Sequence, residues 1–474
     1  MQTNVSTAWR GPGKQLDGLN PTQHSPRVLL LTSGLGYGHV RAAQAVEAAL
    51  LQRAATVRTL DLWSLMNPGA ASIVQKTYLR LVQEYPQLYE RLYHLDEQTW
   101  RQILQSEAGP PADVLEVLEL ISEIMASSVA DVHGSNYPSD RLLLSLLCTA
   151  LPYDKASLAG NGVRARLALL KWTWLRLNKR IGGLIAQFAP DVVIGTQMIP
   201  AAMVSAQKTR GRLNMPLLGV PTDFGLHDFW QQPGIDCYCI AHHSIAASVR
   251  PVNSHADVHV TGVPLMPGFS HPLSQQEARR QLHIAPRRTG PDAGASDKVV
   301  LILGGGLGLS VDAIAEQLLQ RLPSGLLMIM TGKNSTAHLQ LLGRASDYPG
   351  RVQVSEWTDR MDVYIRAADI VVGKPGGVSV AEVLACGRPL FATRSLGGQE
   401  GYNVRFLDQH EVGGLVADDQ LADCIDAVCR QPARLAAMQE RAWGLGCREG
   451  ATRISDLALD LAWARRSQGL RWEP

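Results

Sequence analysis

A short segment in the C-terminal half combines glycines, a hydroxyl and a carboxylate in a spacing that suits a phosphorylated sugar. Gly376 and Gly377 follow an apolar run, Ile370 to Val372, and precede a helical pattern. Glycines let a backbone approach a ligand closely, and a helix N-terminus offers unpaired N–H groups to an anion, here beside Ser379. Glu382 follows about one turn later, where its carboxylate can accept hydrogen bonds from the vicinal hydroxyls of a ribose. The segment therefore predicts a seat for a diphosphate and its ribose.

A polar cluster follows the next predicted strand, Pro389 to Thr393. Its amide and carboxylate groups suit the hydroxyls of another sugar, and they belong to Gln399, Glu400 and Asn403. A diphosphate, a ribose and a second sugar in sequence indicate a nucleotide sugar as the ligand. A glycine loop earlier in the chain is expected to face the same cleft, since the predicted strand at residues 299–303 ends in Gly304, Gly305 and Gly306.

Another glycine-rich loop, near the start of the chain, carries a histidine. It joins a predicted buried strand, Arg27 to Thr32, to an alanine-rich helix, Ala42 to Leu51, and it contains Gly36, Gly38 and His39. Parallel α/β sheets bind ligands at the carboxyl ends of their strands, which is where this loop lies. The third glycine is misplaced for a dinucleotide-binding motif. Because an imidazole titrates near neutrality, His39 is a candidate general base.

The predicted strand Leu217 to Val220 is followed by a carboxylate, an imidazole and aromatic rings. Asp223 and His227 could orient or deprotonate a hydroxyl at this strand end. Phe224 and Trp230 could hold an apolar acceptor. The alternative interpretation is structural, with Asp223 capping a loop and the aromatic rings packed in a core.

Together these blocks resemble glycosyltransferase family 28, and within it the branch of monogalactosyldiacylglycerol synthases and processive diacylglycerol glucosyltransferases. The likeness rests on three blocks: Lys374-Pro-Gly-Gly with Glu382, Gly-Gln-Glu400 and Asn403; the Gly-x-Gly-His loop that ends at His39; and a Thr-Asp-Phe…His…Trp pattern from Thr222 to Trp230. The third block is the more discriminating, since peptidoglycan-type members of the wider family lack it. One departure is Gly397, where the family often has proline before Gly-Gln-Glu.

The resemblance implies an α/β fold of two Rossmann-like doubly wound domains facing a cleft, the glycosyltransferase B fold. The second domain would bind a UDP-sugar through Gly304, Gly305, Gly306, Lys374, Gly376, Gly377, Ser379, Glu382, Gln399, Glu400 and Asn403. The first would bind the acceptor through Gly36, Gly38, Phe224 and Trp230. Transfer would proceed with inversion, and His39, Asp223 and His227 are the catalytic candidates. The sequence does not rank these three securely, with His39 placed first.

No cofactor is predicted. The chain contains no Asp-x-Asp motif that would indicate a carboxylate-held metal bridging the diphosphate. Amides of the glycine loops and helix dipoles can stabilise the departing diphosphate instead.

The length of 474 residues favours two domains. We expect a flexible tail over residues 1–26, an acceptor-binding domain over 27–285 and a linker over 286–298. The UDP-sugar-binding domain is expected over 299–474, with C-terminal helices that return to brace the first domain. Residues 100–163 form an insertion relative to shorter bacterial glucosyltransferases.

Composition limits the expected binding partners and cellular location of the protein. A net charge of +2 gives no case for nucleic-acid binding, and seven cysteines without a Cys-x-x-Cys pair suit a reduced cytosolic protein. No secretion signal or membrane-spanning run is evident, so we expect the protein to lie on the inner membrane face, attracted to anionic lipids. Basic residues flank the helical pattern Arg164 to Ile185, which could lie on a membrane. We favour a core-packed helix because the pattern leads into an apolar strand at residues 191–195.

The expected function is transfer of glucose or galactose from UDP-glucose or UDP-galactose to diacylglycerol, giving a β-glycolipid. Three alternatives remain: another lipid acceptor, a UDP-sugar 2-epimerase and an inactive UDP-sugar-binding protein. The Thr-Asp-Phe…His…Trp block argues against the epimerase because it resembles the lipid transferases. Presence of the catalytic and donor residues together argues against an inactive protein.

Overall fold

A computed structural model of the chain describes residues 5–6, 25–34, 37–65, 177–249, 256–285, 298–305, 311–322, 325–393 and 399–468. The side chains of residues 5, 6 and 399 are not among those described. The predicted insertion and nearly all of the predicted linker lie outside these ranges, as do Gly36, Gly306 and Gly397.

The first domain is built on a parallel sheet whose strand order is β1-β7-β6-β5-β4-β2-β3. Its inner strands β2, β4, β5 and β6 are mostly apolar and buried, as expected for a parallel sheet covered on both faces. They are β1 Val5–Ser6, β2 Arg27–Thr32, β3 Thr56–Asp61, β4 Val192–Gly195, β5 Leu217–Gly219, β6 Cys237–Ile240 and β7 Asp257–Val260. The helices are α1 Tyr37–Leu51, α2 over residues 177–188 and α3 Met198–Thr209. Two residues of the predicted tail form edge strand β1, which pairs with β7.

The second domain repeats the plan with the strand order β10-β9-β8-β11-β12-β13. Its strands are β8 Val299–Leu303, β9 Leu326–Met330, β10 Val352–Ser355, β11 Ile370–Gly373, β12 Leu390–Ala392 and β13 Gly413–Leu415. Its helices are α5 Val311–Arg321, α6 Ser335–Ala345, α7 Met361–Ala367, α8 Gly377–Ala385, α9 Gln399–Gln409, α10 Leu421–Cys429 and α11 Pro432–Leu445. The predicted fold class, two doubly wound α/β domains, is confirmed.

Helix α4, Gln275–Gln281, packs on the second domain although the sequence assigns it to the first. Arg279 forms a buried ion pair with Asp369 at 2.7 Å, and its Nε donates to the carbonyl of Ala367 at 2.9 Å. The boundary expected at residue 285 is therefore too late. The contacts that place α4 on the second domain join segments about ninety residues apart, so the local sequence pattern does not predict them.

The last described helix, α12 Gly450–Ser467, returns to the first domain. Its buried face, which includes Ile454 and Ala458, packs against Val28 and Leu30 of β2. Ion pairs at its flanks join Arg53 to Asp456 and Arg466 to Asp191, each at 2.6 Å. The prediction that C-terminal helices brace the first domain is confirmed for α12.

Helix α2 supports the core-packed interpretation of the basic segment, as far as the structure describes it. Leu177, Ile181 and Ile185 are buried, whereas Lys179 and Arg180 are exposed. Among the described residues, no helix combines the length and the apolar character needed to cross a bilayer.

Candidate functional site

The candidate site lies where the first turns of α1 and α8 meet across the domain boundary. A Cβ placed on Gly38 would lie 3.4 Å from Cγ2 of Val378, an ordinary van der Waals contact. Each helix follows the carboxyl end of a central strand, β2 in the first domain and β11 in the second. The two strand-loop-helix units predicted from sequence therefore face each other.

A cavity between these helices is lined by both domains. Residues expected to bind ligands from sequence contribute to its wall: Gly38, Gly305, Ser379 and Glu382. Gly305 has a φ of +63°, a left-handed conformation that favours glycine. Tyr37 and Arg41 of α1 complete the wall from the first domain, and Trp357 contributes to it from the second domain.

Among the described ionisable groups that line the cavity, Glu382 is the one whose pKa its environment shifts most. Burial raises the pKa of its carboxyl to about 7; Arg41 acts in the opposite direction, and Asp362 adds to the rise. A carboxylate in this position can accept hydrogen bonds from sugar hydroxyls, and its charge depends on pH near neutrality.

Two exposed aromatic rings, one from each domain, stand at the edge of the cavity. Tyr37 is 39% exposed and Trp357 40%, with ring centroids 5.6 Å apart. The ammonium of Lys333 lies over both rings and donates to the Tyr37 hydroxyl at 3.0 Å. Sequence reasoning missed Tyr37, Lys333 and Arg41. The position of Tyr37 inside the Gly-x-Gly-His loop was an available signal.

His39 is held in one tautomer by its neighbours. Its Nδ1 lies 3.0 Å from the carbonyl oxygen of Thr196 and 3.2 Å from the hydroxyl of Thr222. A carbonyl only accepts, so Nδ1 carries the proton and Nε2 keeps its lone pair. Burial lowers the pKa of the imidazole, while Asp223 acts to raise it. The neutral ring is the form that a general base requires.

Asp223 approaches the second domain from the first. Asn403 Nδ2 donates to its Oδ1 at 2.9 Å, and the backbone N–H of Gly377 also hydrogen-bonds its carboxylate. Burial raises the pKa of this carboxyl, whereas Asn403, His39 and Gly377 each act to lower it. The α8 N-terminus, predicted to hold a diphosphate, therefore already contacts one carboxyl group of the protein.

Gly377 has no room for a side chain. A Cβ there would overlap the carbonyl oxygen of Thr222 and lie 2.8 Å from Cα of Asp223. At Gly376, the N-cap of α8, no described atom comes within 4 Å of such a Cβ. Open space therefore remains for a ligand on the Gly376 side of the loop.

The predicted donor residues on α9 and before α8 interact with each other. Lys374 Nζ lies 3.3 Å from Glu400 Oε1, so the charges of these two residues are paired. The side chain of Gln399 lies outside the described residues. Gly304 donates its N–H to the carbonyl of Met330 at 3.0 Å and thereby helps hold the loop after β8.

Asn403 is placed differently from the expectation. It is fully buried and joins the two domains, because its amide contacts Asp223, Pro375 and Phe224. The prediction that it contacts a second sugar disagrees with this placement, since both of its N–H groups already have protein acceptors.

His227, Phe224 and Trp230 also depart from the roles expected of them. His227 is buried and caps a short 3₁₀ turn, with Nδ1 accepting from the N–H of Phe229 at 3.0 Å. Phe224 packs on Phe406 of α9 with centroids 4.3 Å apart, and Trp230 is 6% exposed in the first core. Both rings are packed in the protein interior, in agreement with the alternative interpretation that they belong to a core.

Among the residues that the structure describes, no group of three or more His, Cys, Asp or Glu side chains could hold a metal ion. The prediction that no cofactor is needed stays a prediction.

Family models match two segments of the chain. Residues 164–265 match the model described as monogalactosyldiacylglycerol (MGDG) synthase, and residues 299–454 match the glycosyltransferase family 28 C-terminal domain. The resemblance inferred from the motifs is thereby confirmed.

Several curated relatives are named processive diacylglycerol beta-glucosyltransferase. A processive diacylglycerol beta-glucosyltransferase of Bacillus cereus (strain AH187) is 23% identical over 442 residues, covering 92% of this chain and 94% of that protein. A protein of the same name from Bacillus subtilis (strain 168) is 26% identical over 234 residues, 49% of this chain. That alignment spans 58% of the relative's length.

Solved structures show the same fold. Acinetobacter baumannii MurG superposes with a TM-score of 0.54 at 15% identity, covering 92% of this chain and 99% of that chain. Arabidopsis thaliana UGT89C1, complexed with UDP-L-rhamnose, gives 0.51 at 14% identity, covering 93% of this chain and all of the other. The two-domain arrangement is that of the glycosyltransferase B fold.

Proposed function

We propose that this chain, of which residues 164–265 and 299–454 match the MGDG synthase and glycosyltransferase family 28 models, is a UDP-sugar-dependent hexosyltransferase. It moves glucose or galactose to the hydroxyl of diacylglycerol and makes a β-glycolipid. The observation that carries the proposal is that the interacting pair His39 and Asp223 and the cavity lined by Glu382 lie at the same contact between the first turns of α1 and α8. The names of the relatives support diacylglycerol as the acceptor.

The donor is assigned to the second domain. Glu382 receives the ribose hydroxyls, and Gly305 and Ser379 line the same cavity. The diphosphate is assigned to the open side of the loop at Gly376, where backbone amides and the α8 dipole favour an anion. The paired side chains of Lys374 and Glu400 flank the transferred hexose, together with Gln399.

Transfer is a single displacement. The acceptor oxygen forms a bond to the anomeric carbon while the bond from that carbon to the diphosphate oxygen breaks, and UDP departs with the electron pair. His39 Nε2 takes the acceptor proton, because Nδ1 is already committed to Thr196. Asp223 stabilises the imidazolium that results, as its effect on the His39 pKa indicates. His227 is not retained as a base.

Diacylglycerol resides in membranes, so the reaction must take place at a lipid surface. The proposal therefore includes peripheral binding to the anionic inner face of the membrane, reached from the cytoplasm. Charge attraction of this kind weakens as salt increases.

The test supplies purified protein with diacylglycerol in anionic vesicles and with radiolabelled UDP-glucose or UDP-galactose, in separate reactions. A labelled glycolipid is expected with one donor or both, and it names the hexose. If neither donor labels lipid while UDP binds, the diacylglycerol proposal is wrong and the site serves another acceptor or reaction.

A further inference from the structure

We propose that Asn403 is a positioning residue, which holds Asp223 ionised beside His39 and ties that carboxylate to the donor-binding loop. This inference rests on the proposed function, because it concerns the same reaction. It replaces the sugar contact expected for Asn403 with a role between the domains.

The geometry leaves Asn403 a single orientation. Its Nδ2 donates to Asp223 Oδ1 and to the carbonyl of Pro375, both at 2.9 Å, while its Oδ1 accepts from the N–H of Phe224 at 2.8 Å. The Phe224 N–H can only donate and the Pro375 carbonyl can only accept. Exchanging the amide oxygen and nitrogen would therefore break both contacts.

The contacts join three separate parts of the site. Asn403 lies on α9, Pro375 lies in the loop before α8, and Asp223 follows β5 in the other domain. The same loop contributes the Gly377 N–H to Asp223. Bringing the domains together and orienting the Asp223 carboxylate are therefore one structural event.

The amide suits the charge of its neighbour. A neutral donor stabilises the ionised carboxyl without cancelling its charge, which must remain to support the imidazolium of His39. Among the described residues, the titratable group that acts on the Asp223 pKa is His39 on α1. Helices α8 and α9 contribute the uncharged donors Gly377 N–H and the Asn403 amide. Burial raises the Asp223 pKa, and Asn403 is the strongest influence opposing that rise.

The test compares the pH dependence of kcat in the wild type, Asn403→Ala and Arg405→Ala. Arg405 is an exposed residue of the same helix, so its variant is the matched control. For Asn403→Ala we expect a lower kcat, an almost unchanged KM for the UDP-sugar, and an acid limb moved up by about 1 pH unit. The direction follows because losing a donor to a carboxylate raises its pKa, and a charge-assisted hydrogen bond is worth about that shift. Arg405→Ala should keep the wild-type acid limb.

A swapped pair separates positioning from folding. Asn403→Asp alone places two carboxylates in contact, and combining it with Asp223→Asn restores one amide and one carboxylate. The double variant should recover only part of the melting temperature that Asn403→Asp loses, because a carboxylate at position 403 cannot donate to the Pro375 carbonyl. It should stay slow because the charge has moved away from His39. Wild-type kcat and acid limb in Asn403→Ala would overturn the inference, as would a raised KM alone, which would indicate direct sugar contact. Absence of transfer by the wild type would instead refute the proposed function.

Discussion

Donor binding should depend on pH through Glu382. Burial raises the pKa of this carboxyl to about 7, so about half of the Glu382 side chains are ionised near neutrality in the free protein. Ribose hydroxyls donate to the ionised carboxylate, and protonation removes an acceptor. Binding therefore favours the ionised form, and the affinity present above pH 7 is lost as the pH falls.

The size of the effect follows from the titration. If only the ionised form binds, the apparent dissociation constant increases by a factor of one plus the ratio of protonated to ionised carboxyl. With a pKa of about 7, that factor is about 1.1 at pH 8 and about 11 at pH 6. The affinity for donor should consequently fall about tenfold across these two pH units.

Isothermal titration calorimetry with the intact UDP-sugar measures this directly. The sugar-capped diphosphate does not itself titrate near neutrality, which makes it a better probe than UDP. Glu382→Gln keeps one acceptor but carries no charge. We expect it to bind about 10- to 100-fold more weakly at pH 8 and to lose most of the pH dependence. A flat wild-type profile together with wild-type affinity in Glu382→Gln would refute the ribose role.

Three further variants test other parts of the structure. His39→Ala should reduce kcat by about 10²- to 10⁴-fold and spare the affinity for UDP-sugar, and near-normal turnover would exclude it as the base. Gly377→Ala should lower the melting temperature, because its Cβ would overlap a backbone oxygen of the first domain. The control Gly376→Ala has open space around its Cβ and should keep the wild-type melting temperature. Equal melting temperatures for the two variants would contradict the close approach of the domains at Gly377. Ile454→Ala should cost about 2 to 5 kcal/mol of unfolding free energy and the exposed Asp460→Ala little, as measured by chemical denaturation; similar losses would argue against the packing of α12.

Much of the fold could be predicted from the sequence, because buried parallel strands appear in it as short apolar runs. Arg27–Thr32 and Val299–Leu303 were predicted at their observed limits, and Glu382 was expected one turn inside a helix that the structure contains. The strand Cys237–Ile240 was missed, since it is only four residues long and two of them are cysteines, which give a weaker strand signal than valine or isoleucine.

The parts of the site that could not be predicted depend on contacts between distant residues. Asn403 and Asp223 are 180 positions apart, so nothing local shows that the amide faces a carboxylate rather than a sugar. Trp230 shows the same limit, because an aromatic ring at a strand end suits an acceptor surface or a core equally well. The cap formed by His227 could have been predicted from the sequence, because it joins residues only two positions apart.

The central claim is hexosyl transfer in the cleft between His39 and Glu382. Its most direct test supplies UDP-glucose and UDP-galactose, each ¹³C-labelled at the anomeric carbon, with diacylglycerol vesicles, and follows that carbon by NMR. We predict that the α-linked donor signal declines while a β-glycosidic lipid signal grows, and that both changes are about 10²- to 10⁴-fold slower in His39→Ala. An α-linked glycolipid, or release of free hexose without glycolipid, would contradict single-displacement transfer to diacylglycerol.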